Sequence, residues 1–273
     1  MRVLVVIALV GVAACTSPVE VTTGQETPSR GRAVEVERVI DGDSVELVVD
    51  GEPLEVRLVG INAPELFTAA DERSCPGFEA RRALEELLAG GPVGFVAGDQ
   101  DRFGRTLGEL VVDGRSVNRV LVEEGWALAL WTADDPTATA AMRTAADERR
   151  GLWGDGCGAP EADGIRLGDA VVDPPGNDRQ ALADEWVEVV NEGSEPVDLS
   201  RWTLRDETSS NRFALGGVTL GPGEAIRVRT GSGRTGGGDL YLGESFPVWS
   251  NRGETILVLD PAGVVADHRF IDP

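Results

Sequence analysis

Three short stretches of the chain set carboxylates and guanidinium groups close together. They are Ile40-Asp41-Gly42-Asp43-Ser44, Arg57-Leu58-Val59-Gly60-Ile61-Asn62-Ala63-Pro64-Glu65 and Asp101-Arg102-Phe103-Gly104-Arg105. Arginine donates paired hydrogen bonds to phosphate oxygens through a planar fork and does not lose its charge. Carboxylates hold hard cations or orient a water molecule. Each stretch also has a plain reading: Asp-Gly-Asp makes a turn, and an Arg near a Glu makes a surface ion pair of small worth. Composition narrows the chemistry further. All 25 basic residues are arginine, and His268 is the one histidine. A Schiff-base lysine, a Walker-type phosphate loop and a histidine-rich metal site are therefore excluded. Any serine or cysteine nucleophile would depend on His268, which is read as a surface or strand-end residue. The remaining chemistry belongs to carboxylates, arginines and backbone.

The 273 residues are 41% hydrophobic and 26% charged, the balance of a globular protein with room for two domains. A net charge of −22 counts against a protein that simply coats a polyanion. It does not exclude a nucleic-acid enzyme. Salt shortens the Debye length to about 8 Å, so a few converging arginines can outweigh a distant acidic surface.

The elements that must position these residues follow from periodicity. Val34, Val36, Arg38 and Ile40 alternate before Asp41-Gly42-Asp43; Val45, Leu47 and Val49 before Asp50-Gly51; and Leu54, Val56 and Leu58 complete a three-stranded antiparallel meander. Val93–Ala97 and Arg105–Val112 supply two further strands, and five short strands suit a small barrel. Helical patterns span Phe78–Leu88, Val117–Glu124 and Pro136–Arg150, so this half is an α+β barrel with flanking helices. Trp126, Trp131 and Trp153 are read as core or groove-wall residues. Beyond residue 160 the pattern is all-β. Segments such as Trp186–Val190, Trp202–Leu204, Phe213–Leu215, Ala225–Val228, Leu240–Leu242 and Thr255–Leu259 recur at about ten-residue spacing between turn residues, as in a β-sandwich.

At the N-terminus, Met1-Arg2 precedes an apolar run from Val3 to Ala14. It is shorter than the ~20 residues of a membrane-spanning helix and matches a signal-peptide core over residues 1–14. Val12-Ala13-Ala14-Cys15 resembles the lipobox of secreted lipoproteins, which would make Cys15 a lipidated anchor and residues 15–32 a flexible tether. Export implies an oxidising compartment, in which Cys75 and Cys157 are expected to form a disulfide; two unpaired buried thiols are the other reading.

Taken in order, I-D-G-D-S, R-L-V-G-I-N-A-P-E and D-R-F-G-R resemble the staphylococcal nuclease (thermonuclease) family across residues 33–158. Gly77-Phe78-Glu79-Ala80, Val117-Asn118 and Gly151-Leu152-Trp153 extend the likeness. The resemblance implies an OB-fold barrel, calcium dependence, and hydrolysis of DNA and RNA. It places the catalytic arginines on Arg57 and Arg105, the catalytic glutamate on Glu65, the first calcium-ligating aspartate on Asp43 and an outer-shell acid on Asp41. Arg57 and Arg105 would clamp the charge building on phosphorus, and Glu65 would orient the attacking water. Calcium would draw on Asp43, the Ala63 backbone carbonyl and Asn62. Asn62 stands where a family member has a second aspartate, which implies weaker metal binding. Phe103 stands where a tyrosine is common.

After a linker at residues 159–164, residues 165–273 resemble the lamin-tail domain, an immunoglobulin-like sandwich. The likeness rests on Glu185–Asn191, Val197–Asp206 and Gly221-Pro222-Gly223-Glu224. It implies a binding or positioning module of unknown ligand. The expectation is thus a monomeric, extracellular, cell-surface, lipid-anchored, calcium-dependent endonuclease. The alternative is a lipoprotein whose barrel binds nucleic acid, or serves as a scaffold, without cutting.

Overall fold

Alternating residues before an Asp-Gly pair form a hairpin when the pair can adopt positive φ, and Asp50 (57°) and Gly51 (86°) both do. They join β2 (Ser44–Val49) to β3 (Glu52–Leu58), and β1 (Arg32–Val39) pairs antiparallel with β2. A computed structural model describes residues 31–68, 71–133, 135–177 and 179–273. The segment expected to be a signal peptide, Cys15 and nearly all of the expected tether lie outside the described residues. β4 (Ile61–Asn62) follows, then helix α1 (Cys75–Leu88), β5 (Val93–Gln100), β6 (Thr106–Val112) and β7 (Arg115–Ser116). Helix α2 (Val117–Glu123), β8 (Leu128–Ala129) and helix α3 (Pro136–Asp147) complete the first half.

The sheet closes on itself. β5 pairs with both β1 and β6, and β6 returns parallel to β3 through Val56↔Thr106, giving a five-stranded, OB-like barrel. Inward residues Val45, Leu47, Val56, Leu58 and Leu110 fill it, and Leu84, Leu121 and Met142 pack the helices against it. Ser74 and Asp135 cap α1 and α3 by accepting from backbone N–H groups. The pattern predicts α3 to Arg150. The helix instead ends at Asp147, and Arg149 takes a left-handed φ of 55° that turns the chain. The disulfide expected from the sequence is present between Cys75 and Cys157, with Cα atoms 5.7 Å apart.

The second half is all-β: β9 (Ile165–Val171), β10 (Trp186–Asn191), β11 (Val197–Asp198), β12 (Thr203–Arg205), β13 (Arg212–Ala214), β14 (Thr219–Leu220), β15 (Ala225–Arg229), β16 (Asp239–Tyr241), β17 (Glu254–Leu259) and β18 (Val265–Ile271). One sheet runs β16-β15-β10-β9, and the facing sheet runs β13-β12-β17-β18. Between them lie Trp202, Trp249, Leu204, Val187, Val189 and Ile256. Periodicity did not single out β9 or β18, because both run half-buried along their length instead of alternating.

The two halves share packing. Leu257 and Leu259 of β17 belong to the barrel's core, and Val265 and Phe270 lie against it. His268 is correspondingly not a surface residue: its ring sits 4.8 Å from that of Trp153, and burial lowers its pKa. Trp131 Nε1 donates to Thr255 Oγ1 at 3.1 Å, and Arg143 reaches Asp272 at 2.5 Å.

Candidate active site

The turn between β1 and β2 brings the first acidic pair into place. The N–H groups of Ile40 and Asp41 donate to the Ser44 carbonyl, and Asp43 N–H donates to Asp41 Oδ1 at 3.0 Å. Only glycine fits between them. A Cβ on Gly42 would sit 2.6 Å from that of Ala63 and 2.8 Å from that of Ala80. Asp43 is thereby pressed inside at 2% exposure, with its carbonyl accepting from Leu58 N–H at 2.7 Å.

Arg57, on β3 directly opposite Ser44, reaches this carboxylate. Its Nη1 pairs with Asp43 Oδ1, and its Nη2 donates to Asn62 Oδ1 at 2.7 Å. Ser44 Oγ also donates to Asp43 Oδ1 at 3.1 Å, and Ala63 N–H donates to Oδ2 at 2.6 Å. Burial pushes the Asp43 carboxyl up and Asp41 adds to this, while Arg57 and the Ala63 N–H oppose it. Asp41, Asp43, Arg57, Asn62 and Ala63 thus form one connected cluster. Asn62, 1% exposed, adds a link outside the barrel: its Nδ2 donates to the Glu207 carbonyl of the sandwich at 2.8 Å.

Arg105 approaches from the neighbouring strand. The β3–β6 register sets Arg57 beside Leu107, so alternation puts Arg105, two residues earlier, on the same face as Arg57. Asp101 holds it there, accepting from Arg105 Nε at 2.8 Å and from the N–H groups of Arg105 and Phe103. Burial would raise Asp101, but these hydrogen bonds outweigh it and hold its pKa low. Phe103 is 69% exposed beside that turn.

Glu65 is placed by α1. Gly77 lies against the Glu65 carbonyl so closely that any side chain at residue 77 would collide with it. The Glu65 carboxylate makes no hydrogen bond or ion pair among the described residues and faces a cavity of about 400 Å³ between barrel and sandwich. No hydrogen bond joins Glu65 or Arg105 to the Asp43 cluster among the described residues.

Sequence reasoning noted Asn118 only as the opening of a helix. Its Nδ2 donates to the carbonyls of Val59 and Gly108 at 3.0 and 3.1 Å, tying the exit of β3 to β6 and so fixing the strands that carry both arginines. It missed the sandwich residues at the cavity, Arg205 and Arg212, because strand alternation shows which side a residue faces and not which domain lies there.

The oxygens of Asp43 and Asn62 already converge on one positive group, the Arg57 guanidinium, and a hard cation favours such donors. The donor set fits calcium on that ground. Among the described residues no three Asp, Glu, His or Cys side chains converge, so the set carries one full negative charge, that of Asp43, and would bind weakly.

Comparison with known proteins finds a family for each half of the chain. The model described as Staphylococcal nuclease homologue matches residues 55–155, and the model described as Lamin Tail Domain matches residues 158–271. Protein ParB of Escherichia coli is 38% identical over 133 residues, covering 44% of this chain and 72% of its own. An uncharacterized endonuclease of Escherichia coli O157:H7 is 33% identical over 130 residues, 46% of this chain and 77% of its own. A micrococcal nuclease of Shigella flexneri is 32% identical over 133 residues, 44% of this chain and 73% of its own.

Proposed function

The chain belongs to the staphylococcal nuclease homologues, with a lamin tail domain following the nuclease domain, and from that premise we propose that it hydrolyses the phosphodiester bonds of DNA and RNA. The observation that carries this reading is the Arg57 fork, fixed by Asp43 and Asn62 on the barrel face it shares with Arg105.

A guanidinium held by two partners has already lost most of its side-chain freedom, so it can meet developing charge without reorganising. Arg57 keeps further N–H donors for a phosphate oxygen, and Arg105, aligned by Asp101, supplies the second clamp. Glu65, whose carboxylate has no partner among the described residues, is available to orient a water molecule and accept its proton. Asp43, Asn62 and the Ala63 carbonyl would hold calcium, with Asp41 behind them. Bound calcium would offset the repulsion between the anionic strand and Glu65.

The test is cleavage of single-stranded DNA and RNA by the full chain, with and without a calcium chelator. Arg57→Ala and Arg105→Ala are each expected to lower the rate about 10²–10³-fold, the loss seen when one positioned donor is removed. Full activity in chelator would refute the role of calcium, and wild-type rates in both variants would refute the clamp. The contact of Asn62 with the sandwich favours one other reading, a barrel that binds the strand without cutting it. A mobility shift with intact product would identify that case.

Export and lipidation at Cys15 complete the proposal. The Cys75–Cys157 disulfide supports an oxidising compartment, and mass spectrometry of the mature N-terminus tests the anchor.

A further inference from the structure

The wall of the interdomain cavity contains Glu65 and Phe67 from the barrel and Arg205 and Arg212 from the sandwich. The two arginines are directly opposite one another in the β12–β13 register. Like charges so placed repel, and a fold normally separates or neutralises them. Here the nearby acids act on the pair only from beyond contact distance. Arg205, 3% exposed, spends its Nε on the Asp206 carbonyl and an Nη on the Thr208 carbonyl, both at 2.8 Å. These are uncharged acceptors, and no carboxylate comes within salt-bridge distance of it among the described residues. The Arg212 side chain makes no hydrogen bond or ion pair among the described residues, and its Nε is buried without a partner.

In a chain with 47 acidic residues, two adjacent guanidinium groups without a contacting acid are conspicuous. Burial and the charge of Arg212 press Arg205 down to about 10, while Asp206, Glu65 and Glu207 oppose them, so it remains cationic at neutral pH. The cavity wall also carries Asp260, which accepts from the N–H groups of Glu161, Ala262 and Val264, and Arg201, which pairs with Glu72. Neither Glu65 nor Asp260 contacts Arg205 or Arg212 among the described residues, so the free N–H donors of the two guanidinium groups remain for a phosphate.

The cavity also has a platform. Phe67 is 48% exposed and is steadied by an edge contact with Phe78 at 6.0 Å, whose ring Arg73 covers at 3.8 Å. An exposed, immobilised aromatic ring beside paired arginines suits one nucleotide unit, its base stacked and its phosphate forked. Glu65 lines this space, so a strand cut beside Glu65 would continue into it.

We propose that the cleft between the domains is a second subsite for the nucleic-acid strand, in which Arg205 and Arg212 of the sandwich grip a backbone phosphate next to the cleaved one and Phe67 carries a base. This rests on the nuclease reading and gives the sandwich a direct part in substrate binding.

The experiment measures binding of a labelled single-stranded oligodeoxynucleotide to the full chain in chelator, where cleavage is off, over a range of salt concentrations. Arg212→Gln is expected to weaken binding about tenfold, the loss of one charge-assisted contact. It should also flatten the plot of log affinity against log salt by about 0.7, the slope of one phosphate on a single strand. Arg212→Lys, which retains the charge, should restore the slope, and Phe67→Ala should weaken binding with the slope intact. In cleavage assays the Arg212→Gln defect should fall mainly on KM.

A folded Arg212→Gln protein with wild-type affinity and slope would overturn the subsite. If that variant fails to fold, an unchanged affinity in Phe67→Ala overturns it instead. A variant that loses competition by inorganic phosphate but still holds the strand normally would mark a free-phosphate pocket and also overturn it. The two readings fail separately. Binding that follows these expectations without any cleavage refutes the nuclease and leaves the subsite standing, and cleavage with an unaltered salt slope does the reverse.

Discussion

Asn62→Asp tests the candidate site and its link to the sandwich together. The side chain is 1% exposed, accepts from Arg57 through Oδ1 at 2.7 Å and donates through Nδ2 to the Glu207 carbonyl at 2.8 Å. A carboxylate preserves the first contact and reverses the second, setting an acceptor against an acceptor. One hydrogen bond is lost, about 1 kcal/mol, and a buried acceptor goes unsatisfied, about 1–3 kcal/mol more. Arg57 must then serve two carboxylates and recovers part of that sum. The net expectation without metal is a loss of roughly 2–3 kcal/mol, or a fall in Tm of about 5–10 °C for a chain of this size. Calcium should offset the change, because the new charge faces the same cation position as Asp43. At a hundredfold excess over Kd, binding contributes about 2.7 kcal/mol, enough to restore the wild-type melting point. Thermal denaturation of both proteins in chelator and in calcium measures every quantity. A variant that melts like the wild type in chelator refutes the Asn62–Glu207 anchor, and one that gains nothing from calcium refutes the cation site.

Stability should fall as pH rises from mildly acidic to alkaline. Burial pushes Glu254 up to about 9 and Glu207 up to about 7, against an ordinary value of 4.5. Below 4.5 both folded and unfolded chains hold these protons; above it only the folded chain does, which removes about 1.4 kcal/mol per pH unit per group until each folded pKa is passed. Glu254→Gln should flatten the alkaline part of a urea-denaturation series, and an unchanged slope would refute the assignment. Replacing Cys75 and Cys157 by alanine opens a closure across 82 residues and should lower stability by about 4 kcal/mol on the chain-entropy account, read from the urea midpoint. Leu257→Ala should cost about 2–4 kcal/mol and leave one unfolding transition, because this sandwich residue sits in the barrel core; separate transitions for the two halves would contradict the shared core.

The barrel was legible because its information is local. Asp-Gly turns flanked by alternating Val and Leu fix hairpins wherever the chain meets them, and the register of β2 on β3 follows from the two-residue turn between them. The cluster of Asp43, Arg57 and Asn62 was legible for the same reason, since the meander and the short strand that directly follows it carry all three. Strands β9 and β18 were not, because their residues are mostly half-buried and show no clean alternation. His268 was misplaced on the same account: its neighbour Trp153 belongs to the other domain, more than a hundred residues away in sequence.

By itself the sequence determined two folds and the family whose motifs the first fold carries, and it led to an expected Cys75–Cys157 disulfide that the structure contains. It also narrowed any chemistry, through the absence of lysine and the single histidine, to carboxylates, arginines and backbone. Only the tertiary structure decided that the sandwich lies against the candidate site, that Asn62 reaches Glu207, and that Arg205, Arg212 and Glu65 line a shared cavity. The physical reason lies in range. Turn chemistry and alternation act over a few residues, whereas the docking of two surfaces depends on their summed shape and charge, which exist only after each surface has folded.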